Sequence, residues 1–324
     1  MRSSRDFLKS IGLPGSDPRD CPSSPRRFPD QGQYRIEIPS TEGPRALAEI
    51  LAEAASRKVP VHRVSQGSGI MLMTDEEITE MLETGRQAGV EVNLFIGPRA
   101  TFDIGAQAYS PAGKTLGLSL RGADQLVYAL EDCLRATRLG LRSVLVSDLG
   151  VLQVIARMRS TGDLPGDLII KTSVMMAPAN PASARILEDL GANTINIPSD
   201  LTLQQIAAVR AAIAVPIDFY VEAPDNIGGF IRYYEIPELI RVAAPVYLKF
   251  GLRNAPDVYP SGTHIENTVT ALSRERVRRA EIAMGVIARY CPEAVMSPLG
   301  AKDLGIPEVA DCGLPIADLG TVPT

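Results

Sequence analysis

Short apolar runs alternate with amphipathic stretches along most of the chain. In its second half, a β-branched run at residues 168–172 is followed by a helix pattern at 181–190, which ends at Gly191. Two more apolar runs, at 194–197 and 217–221, lie on either side of another helix pattern. Strands joined by a single helix must be parallel, because each helix returns the chain to the same edge of the sheet. This stretch therefore predicts consecutive βα units.

The same alternation continues on both sides of this stretch, with no change in composition between the two halves of the chain. Eight βα units are typical of a closed (β/α)8 barrel, which often uses about 200–250 residues as one domain. An open, doubly wound sheet is the alternative arrangement of such units. The predicted strands lie at residues 34–38, 59–65, 90–97, 143–147, 168–172, 194–197, 217–221 and 246–250.

The two ends of the chain do not follow this alternation. Residues 1–32 are rich in Ser, Pro, Arg and Asp, so we expect an N-terminal extension that is either disordered or laid over another surface. Residues 33–298 form the predicted catalytic barrel. Residues 299–324 form a C-terminal tail rich in Pro and Gly.

Composition and charge narrow the classes of function. The 324 residues carry a formal net charge of −5, which does not favour a nucleic-acid partner. No apolar run is long enough to predict a membrane span. The four cysteines show no CxxC spacing, and no signal peptide is recognisable, which is typical of reduced thiols in the cytoplasm. We therefore expect a cytoplasmic homo-oligomer that acts on a small molecule.

Alternation within each strand predicts which side chains point into the barrel. One face of each strand packs on the helices and is apolar, while the other face points inward. Such an interior would be unusually rich in charge. The predicted inward side chains are Arg35, Glu37, Glu91, Lys171, Asn196, Asp218, Glu222 and Lys249, together with either His62 or Arg63.

Position along the strand separates structure from function among these residues. Buried charges are costly unless they are paired, so those near the strand N-termini are expected to neutralise one another. Those at the strand C-termini lie where (β/α)8 active sites are found. We interpret Glu222 and Lys249 as an acid–base pair and Lys171 as an electrophile or substrate anchor. The predicted substrate-orienting residues of the interior are Glu37, Arg63 and Asn196.

Two other chemistries fit the same interior. Either Lys171 or Lys249 forms a Schiff base if burial keeps its amine neutral. A divalent cation, Mn, Mg or Zn, is the other possibility, with His62 and Asp148 as ligands beside interior carboxylates. The chain has only two histidines and no HxH or HExxH spacing, so the nature of any cofactor stays open.

Glycine-rich turns and arginines after strand ends predict anion binding. Glycine lets backbone N–H groups face a carboxylate or phosphate, and arginines can form a fork on a carboxylate. The predicted substrate contacts of this kind are Gln66, Ser68, Arg99, Arg232 and Arg253.

The order of motifs within residues 170–229 resembles one known family. Asn180 leads a helix, a Leu-Gly turn follows at 190–191, the segment 200–203 (DLTL) opens the next helix, and a Gly-Gly pair lies at 228–229. This order is similar to the core of the collagenase-like peptidases, family U32 of the peptidases of unassigned catalytic type. The resemblance implies a barrel and favours hydrolysis of a peptide or amide bond.

The resemblance also bears on cofactors. Members of that family carry a cysteine-containing segment after the glycines, and several are similar to iron–sulfur proteins. The corresponding segment here, residues 228–232, has no cysteine, so no iron–sulfur cluster is expected.

Three functions therefore stay open. The resemblance favours a hydrolase for a small polar or anionic substrate, while the interior lysines favour a lyase, aldolase or isomerase. A non-catalytic binding or accessory subunit is the third, in which the N-terminal extension and residues 257–267 dock a partner.

Overall fold

The computed structural model describes residues 3–97 and 119–309, which contain a closed barrel of eight parallel strands. Each strand pairs with its neighbours in the sequence, and the last strand pairs with the first. This closure confirms the predicted (β/α)8 barrel and excludes an open sheet. The strands are β1 (Tyr34–Pro39), β2 (Arg63–Ser65), β3 (Glu91–Phe95), β4 (Ser143–Val146), β5 (Ile169–Thr172), β6 (Thr194–Asn196), β7 (Ile217–Glu222) and β8 (Val246–Phe250).

A helix follows each strand, and one short helix precedes the barrel. The first of these eight has Pro44 in its first turn, and Thr74 and Glu77 form a capping box at the start of the second. The last helix begins at Glu266, and its buried inner face includes Val269 and Ser273 in the first turns. The helices are α1 (Ser4–Ser10), α2 (Pro44–Arg57), α3 (Asp75–Ala88), α4 (Gly122–Arg138), α5 (Leu149–Thr161), α6 (Pro181–Asp189), α7 (Leu203–Ala212), α8 (Ile236–Ala243) and α9 (Glu266–Tyr290).

The main hydrophobic core lies between the barrel and the helices. Ile36 and Ile38 of β1, and Val92 and Leu94 of β3, are fully or almost fully buried in it, at alternate positions along their strands. The intervening side chains point into the barrel, as the period of two requires. Among the described residues, no helix is both long and apolar enough to cross a membrane.

Segments from both ends of the chain close the base of the barrel. The ring of Phe28 packs edge-to-face on Tyr247, with 5.4 Å between centroids, and the guanidinium of Arg35 lies 3.9 Å from the Phe28 centroid. Arg35 Nη2 donates to Asp30 at 2.9 Å and to Asp303 at 2.6 Å. Residues from the predicted extension and tail thus meet beneath β1, at the N-terminal ends of the strands.

Candidate functional site

Glu37 is the centre of an ion-pair network inside the barrel. Its Oε2 accepts hydrogen bonds from Arg63 Nε at 2.8 Å and Nη2 at 2.5 Å. Its Oε1 accepts from Lys171 Nζ and Ser65 Oγ, and Lys249 Nζ lies 3.5 Å from the same oxygen. One carboxylate on β1 therefore holds cations from β2, β5 and β8.

Arg63 connects the carboxylate of Glu37 to the acidic residues nearer the N-terminal ends of the strands. Its Nη2 also donates to Asp218, and its Nη1 lies 3.7 Å from Glu91. Its guanidinium stacks 3.6 Å from the ring centroid of Tyr247. Arg63, not His62, is thus the inward residue of β2, and the interior charges largely neutralise one another.

The pKa values of the two lysines in the network differ. Burial alone would raise the pKa of Glu37, but the cations around it hold that pKa well below the ordinary value. Burial, and next the charge of Arg63, lower the pKa of Lys171 to about 7, although Glu37 opposes this. Burial also acts on Lys249, but the charges of Glu37 and Tyr220 outweigh it and raise the pKa of that lysine. At neutral pH, Lys249 is therefore charged, while Lys171 is present in both its charged and its neutral form.

Asn196 and Tyr220 surround Lys249. The Nζ of Lys249 lies 4.1 Å from the ring centroid of Tyr220. With its amide oriented to satisfy both neighbours, Asn196 accepts from Lys249 Nζ at 2.6 Å and donates to the carbonyl oxygen of Asp218 at 3.2 Å. The structure therefore brings Asn196, Glu37, Arg63 and both lysines together.

Glu222 does not face Lys249, so their prediction as an acid–base pair is wrong. A register shift lies between Tyr220, which pairs with Lys249, and Glu222, which pairs with Phe250. This irregularity breaks the alternation of inward and outward side chains. Glu222 accepts from the hydroxyl of Tyr233 at 2.8 Å and from the backbone N–H of Arg253 at 3.0 Å. Its carboxylate thus joins loops outside the barrel.

The turn after β2 binds a carboxylate, as its glycines predicted, but the carboxylate belongs to the chain. Glu42 accepts from the backbone N–H groups of Gly67 at 2.7 Å and Ser68 at 3.0 Å, and from Ser68 Oγ at 2.6 Å. The amide of Gln66 closes the turn on the backbone of Gly69. Gln66 and Ser68 are therefore engaged within the protein.

The predicted arginine fork on a substrate carboxylate is not formed by Arg232 and Arg253. Arg232 Nη1 donates to the carbonyl oxygen of Ser199 at 2.8 Å, and Arg253 Nε donates to Asp225 at 2.7 Å. Both side chains stabilise loops at the C-terminal ends of the strands. The prediction for Arg99 lies outside the described residues.

His62 and Asp148 do not meet, so the structure does not bring the two predicted metal ligands together. His62 Nδ1 accepts from the backbone N–H of Ile36 at 3.1 Å, and Nε2 lies 2.9 Å from the carbonyl oxygen of Ser297. Burial lowers the pKa of this histidine to about 4, so it is neutral. Asp148 caps α5 through the N–H of Val151, at the opposite end of the barrel. Within residues 3–97 and 119–309, no three His, Cys, Asp or Glu side chains are grouped to hold a metal ion.

A cavity of about 390 Å³ lies at the C-terminal face, beside the ends of β4 and β5. Ser147, Met175, Met176 and Ser183 are among the residues that line it. Active sites of (β/α)8 enzymes are built on this face, so the cavity is a candidate approach for a substrate.

Sequence reasoning missed one further polar residue near this face. Arg276 of α9 is 4% exposed, and within residues 3–97 and 119–309 its side chain makes one long hydrogen bond, 3.4 Å from Nη1 to the carbonyl oxygen of Ser40. Its position could have been read from the sequence, because it lies between Ser273 and Ala280 on the buried face of the helix.

Three solved structures illustrate the similarity of this chain to known proteins. The U32 peptidase Mk0906 is 16% identical, with a TM-score of 0.42 over 70% of this chain and 96% of that one. Orotidine 5'-monophosphate decarboxylase from Methanocaldococcus jannaschii is 9% identical, with a TM-score of 0.40 over 77% and 97%. A truncated 3-deoxy-D-arabino-heptulosonate 7-phosphate synthase from Thermotoga maritima is 12% identical, with a TM-score of 0.45 over 82% and 89%. Similarities at this level say nothing about the chemistry of this chain.

The sequence itself matches one family over about a third of its length. A search of the curated proteins returned no match. Residues 120–223 match the family model described as peptidase family U32. This segment runs from just before α4 to just after β7 and contains Asn180, the Leu-Gly turn at 190–191 and the DLTL segment at 200–203. This match over residues 120–223 confirms the resemblance to peptidase family U32 that the order of motifs indicates.

Proposed function

We propose that the protein is a (β/α)8 enzyme in which Lys171 acts on the carbonyl group of a small polar substrate. The observation that carries this proposal is Lys171 itself, which is fully buried and has a pKa lowered to about 7. Near that pH a large fraction of the amine is neutral, and only the neutral amine is a nucleophile or a base. Burial beside other cations, here Arg63 and Lys249, is a known way to activate a lysine.

The step that this geometry supports best is formation of a Schiff base. The lone pair of Lys171 Nζ attacks the carbonyl carbon, the C=O π electrons move to oxygen, and a proton passes from nitrogen to that oxygen. A second proton releases the oxygen as water and leaves an iminium ion. Ser65 Oγ, 2.8 Å from Lys171 Nζ, would relay these protons, and the charged Lys249 would stabilise the developing oxyanion. The iminium would then accept electrons from a neighbouring bond, as in a lyase or isomerase.

Borohydride trapping tests the Schiff base. The protein would be incubated separately with pyruvate, glyoxylate and dihydroxyacetone, reduced with borohydride, and digested for peptide mass spectrometry. We expect an adduct on the peptide that contains Lys171 and none there in Lys171→Met. Adducts confined to exposed lysines such as Lys58 or Lys302, with none on Lys171, would refute the proposal.

Hydrolysis of a peptide or amide bond is the second candidate, and the U32 match over residues 120–223 favours it. Lys171 lies in that segment and would act as the base that removes a proton from the attacking water. Turnover of a mixed peptide library would be followed by mass spectrometry. Cleavage that is lost in Lys171→Met but insensitive to borohydride would favour hydrolysis over a Schiff base.

A further inference from the structure

Two polar groups on the inner face of α9 lack partners among the described residues. The Nε of Arg276 and the Oγ of Ser273 are both buried and have no hydrogen-bond partner in the part of the chain that the structure describes. The two residues are 4% and 0% exposed, respectively. They lie three positions apart, so their side chains share one face of the helix. A native protein rarely buries such groups together without a ligand or water.

A structural role does not explain this arginine well. A buried guanidinium that forms no ion pair within the described residues is destabilising, and an apolar residue would fill the same position, as Val277 and Ala280 do nearby. Glu42 influences Arg276 electrostatically, but its carboxylate is hydrogen-bonded by the turn after β2. Burial accordingly lowers the pKa of Arg276, and Tyr259, Glu42 and Tyr220 only partly oppose this.

The surroundings of Arg276 place it at the C-terminal face of the barrel. Its Nη1 reaches the carbonyl oxygen of Ser40, the residue directly after β1. The hydroxyl of Ser40 lies 2.5 Å from that of Tyr259. Ser40 has a φ of +57°, a left-handed conformation that is uncommon outside glycine and clusters at functional sites. Tyr220, which acts to raise the pKa of Arg276, also packs on Lys249.

We propose that Arg276, Ser273, Ser40 and Tyr259 form an oxyanion-binding site, which we call the Arg276 site. The guanidinium of Arg276 reaches the backbone of Ser40, whose hydroxyl meets that of Tyr259, so N–H and O–H donors from this region would match the oxygens of a carboxylate or a phosphate. The inference rests on the proposed function in one respect: the anion bound here is the charged end of the substrate whose carbonyl meets Lys171. The substrate is therefore a small anionic carbonyl compound.

Binding of simple anions tests the site without knowledge of the substrate. Inorganic phosphate and acetate would each be titrated calorimetrically into the wild-type chain at constant ionic strength. We expect at least one of them to bind, and Arg276→Met to weaken that binding by at least about tenfold. Arg278→Met is the matched control, because Arg278 lies on the exposed side of the same helix and pairs with Glu275. This variant should bind the anion like the wild type.

Stability in the absence of anion separates a binding role from a structural one. Arg276→Met should then be as stable as the wild type or more stable, since the unpaired buried charge is gone. If that variant does not fold, Ser273→Ala and Arg276→Lys replace it, and each should weaken anion binding. Phosphate binding alone would indicate a phosphorylated substrate, and acetate binding alone a carboxylic acid. No anion binding by the wild type, or equal binding by the folded variants, would overturn the inference.

The Lys171→Met variant keeps the two proposals distinguishable. It should bind the anion like the wild type, while it loses borohydride trapping. Trapping without Arg276-dependent anion binding would refute only the oxyanion site. Anion binding that depends on Arg276, with no adduct on Lys171, would refute only the Schiff base.

Discussion

Replacing Glu37 by Gln is the most direct test of the interior network. The substitution keeps the shape of the side chain but removes the carboxylate charge that lies within ion-pair distance of Arg63, Lys171 and Lys249. Glu37 is completely buried, so water cannot take over its role. Removing one partner of a buried ion pair typically costs about 3–5 kcal/mol, because it leaves an uncompensated charge.

The structure favours a loss of stability at the lower end of that range for Glu37→Gln. Arg63 keeps a second carboxylate partner, Asp218. Lys171 has a pKa of about 7 with Glu37 in place, so without that carboxylate it loses its proton and removes one of the uncompensated charges. Lys249 keeps its contacts with Asn196 and Tyr220. We expect a loss of about 3 kcal/mol from a total of roughly 5–15 kcal/mol.

Urea denaturation at pH 7, followed by circular dichroism, measures this loss. Glu83→Gln is the matched control, since Glu83 pairs with Arg86 on the surface of α3, where water screens the pair and its contribution to stability is small. If Glu37→Gln lowers the free energy of unfolding no more than Glu83→Gln does, the network does not stabilise the barrel and the reasoning is wrong.

Three further predictions concern titration and the loops. The free energy of unfolding should fall as the pH drops from 6.5 to about 4, because His62 gains a proton in that window in the unfolded chain but not in the folded one. Urea titrations of His62→Gln should lack this fall. The control variant, His264→Gln, changes an exposed histidine and should show the same fall as the wild type. Between pH 7 and 10.5 the wild type should gain stability with rising pH relative to Lys171→Met, since there only the unfolded lysine holds its proton; a flat difference would refute the lowered pKa. Glu222→Gln should cost about 1–3 kcal/mol in urea unfolding but leave borohydride trapping intact, and lost trapping would contradict the outward position of that carboxylate.

The period of two in the strands is why so much of the interior could be predicted. Glu37, Lys171, Asn196 and Lys249 were placed inside from alternation alone, and all of them are buried there. Parity depends only on the pleat of each strand, so it needs no knowledge of which strands are neighbours. The ambiguity at β2 was resolved by the fold, which points Arg63 inward.

Glu222 shows where the prediction of inward side chains from their alternation along a strand fails. The register shift before it arises from pairing with β8, whose residues follow more than 20 positions later in the sequence. No local pattern around Glu222 signals such an irregularity. The prediction that the turn at Gln66 binds a substrate anion met a related difficulty. The turn does bind a carboxylate, but that carboxylate is Glu42 of the same chain, which only the fold brings beside it.

The degree of charge compensation changes along the barrel axis, and this gradient separates structure from function. At the base, Arg35 is held by two carboxylates, Asp30 and Asp303, and lies against Phe28. Such complete pairing is what a stable closed end requires.

Toward the C-terminal face, compensation becomes incomplete. In the middle of the barrel, Arg63, Lys171 and Lys249 lie among the carboxylates of Glu37, Asp218 and Glu91, yet burial still lowers the pKa of Lys171 to about 7. Beside the strand ends, the side chain of Arg276 makes only a long hydrogen bond to a carbonyl oxygen in the part of the chain that the structure describes. A fold that needed these charges only for stability would have compensated them as it does at the base. The poorly stabilised charges of Lys171 and Arg276 are instead what an anionic carbonyl substrate would stabilise on binding.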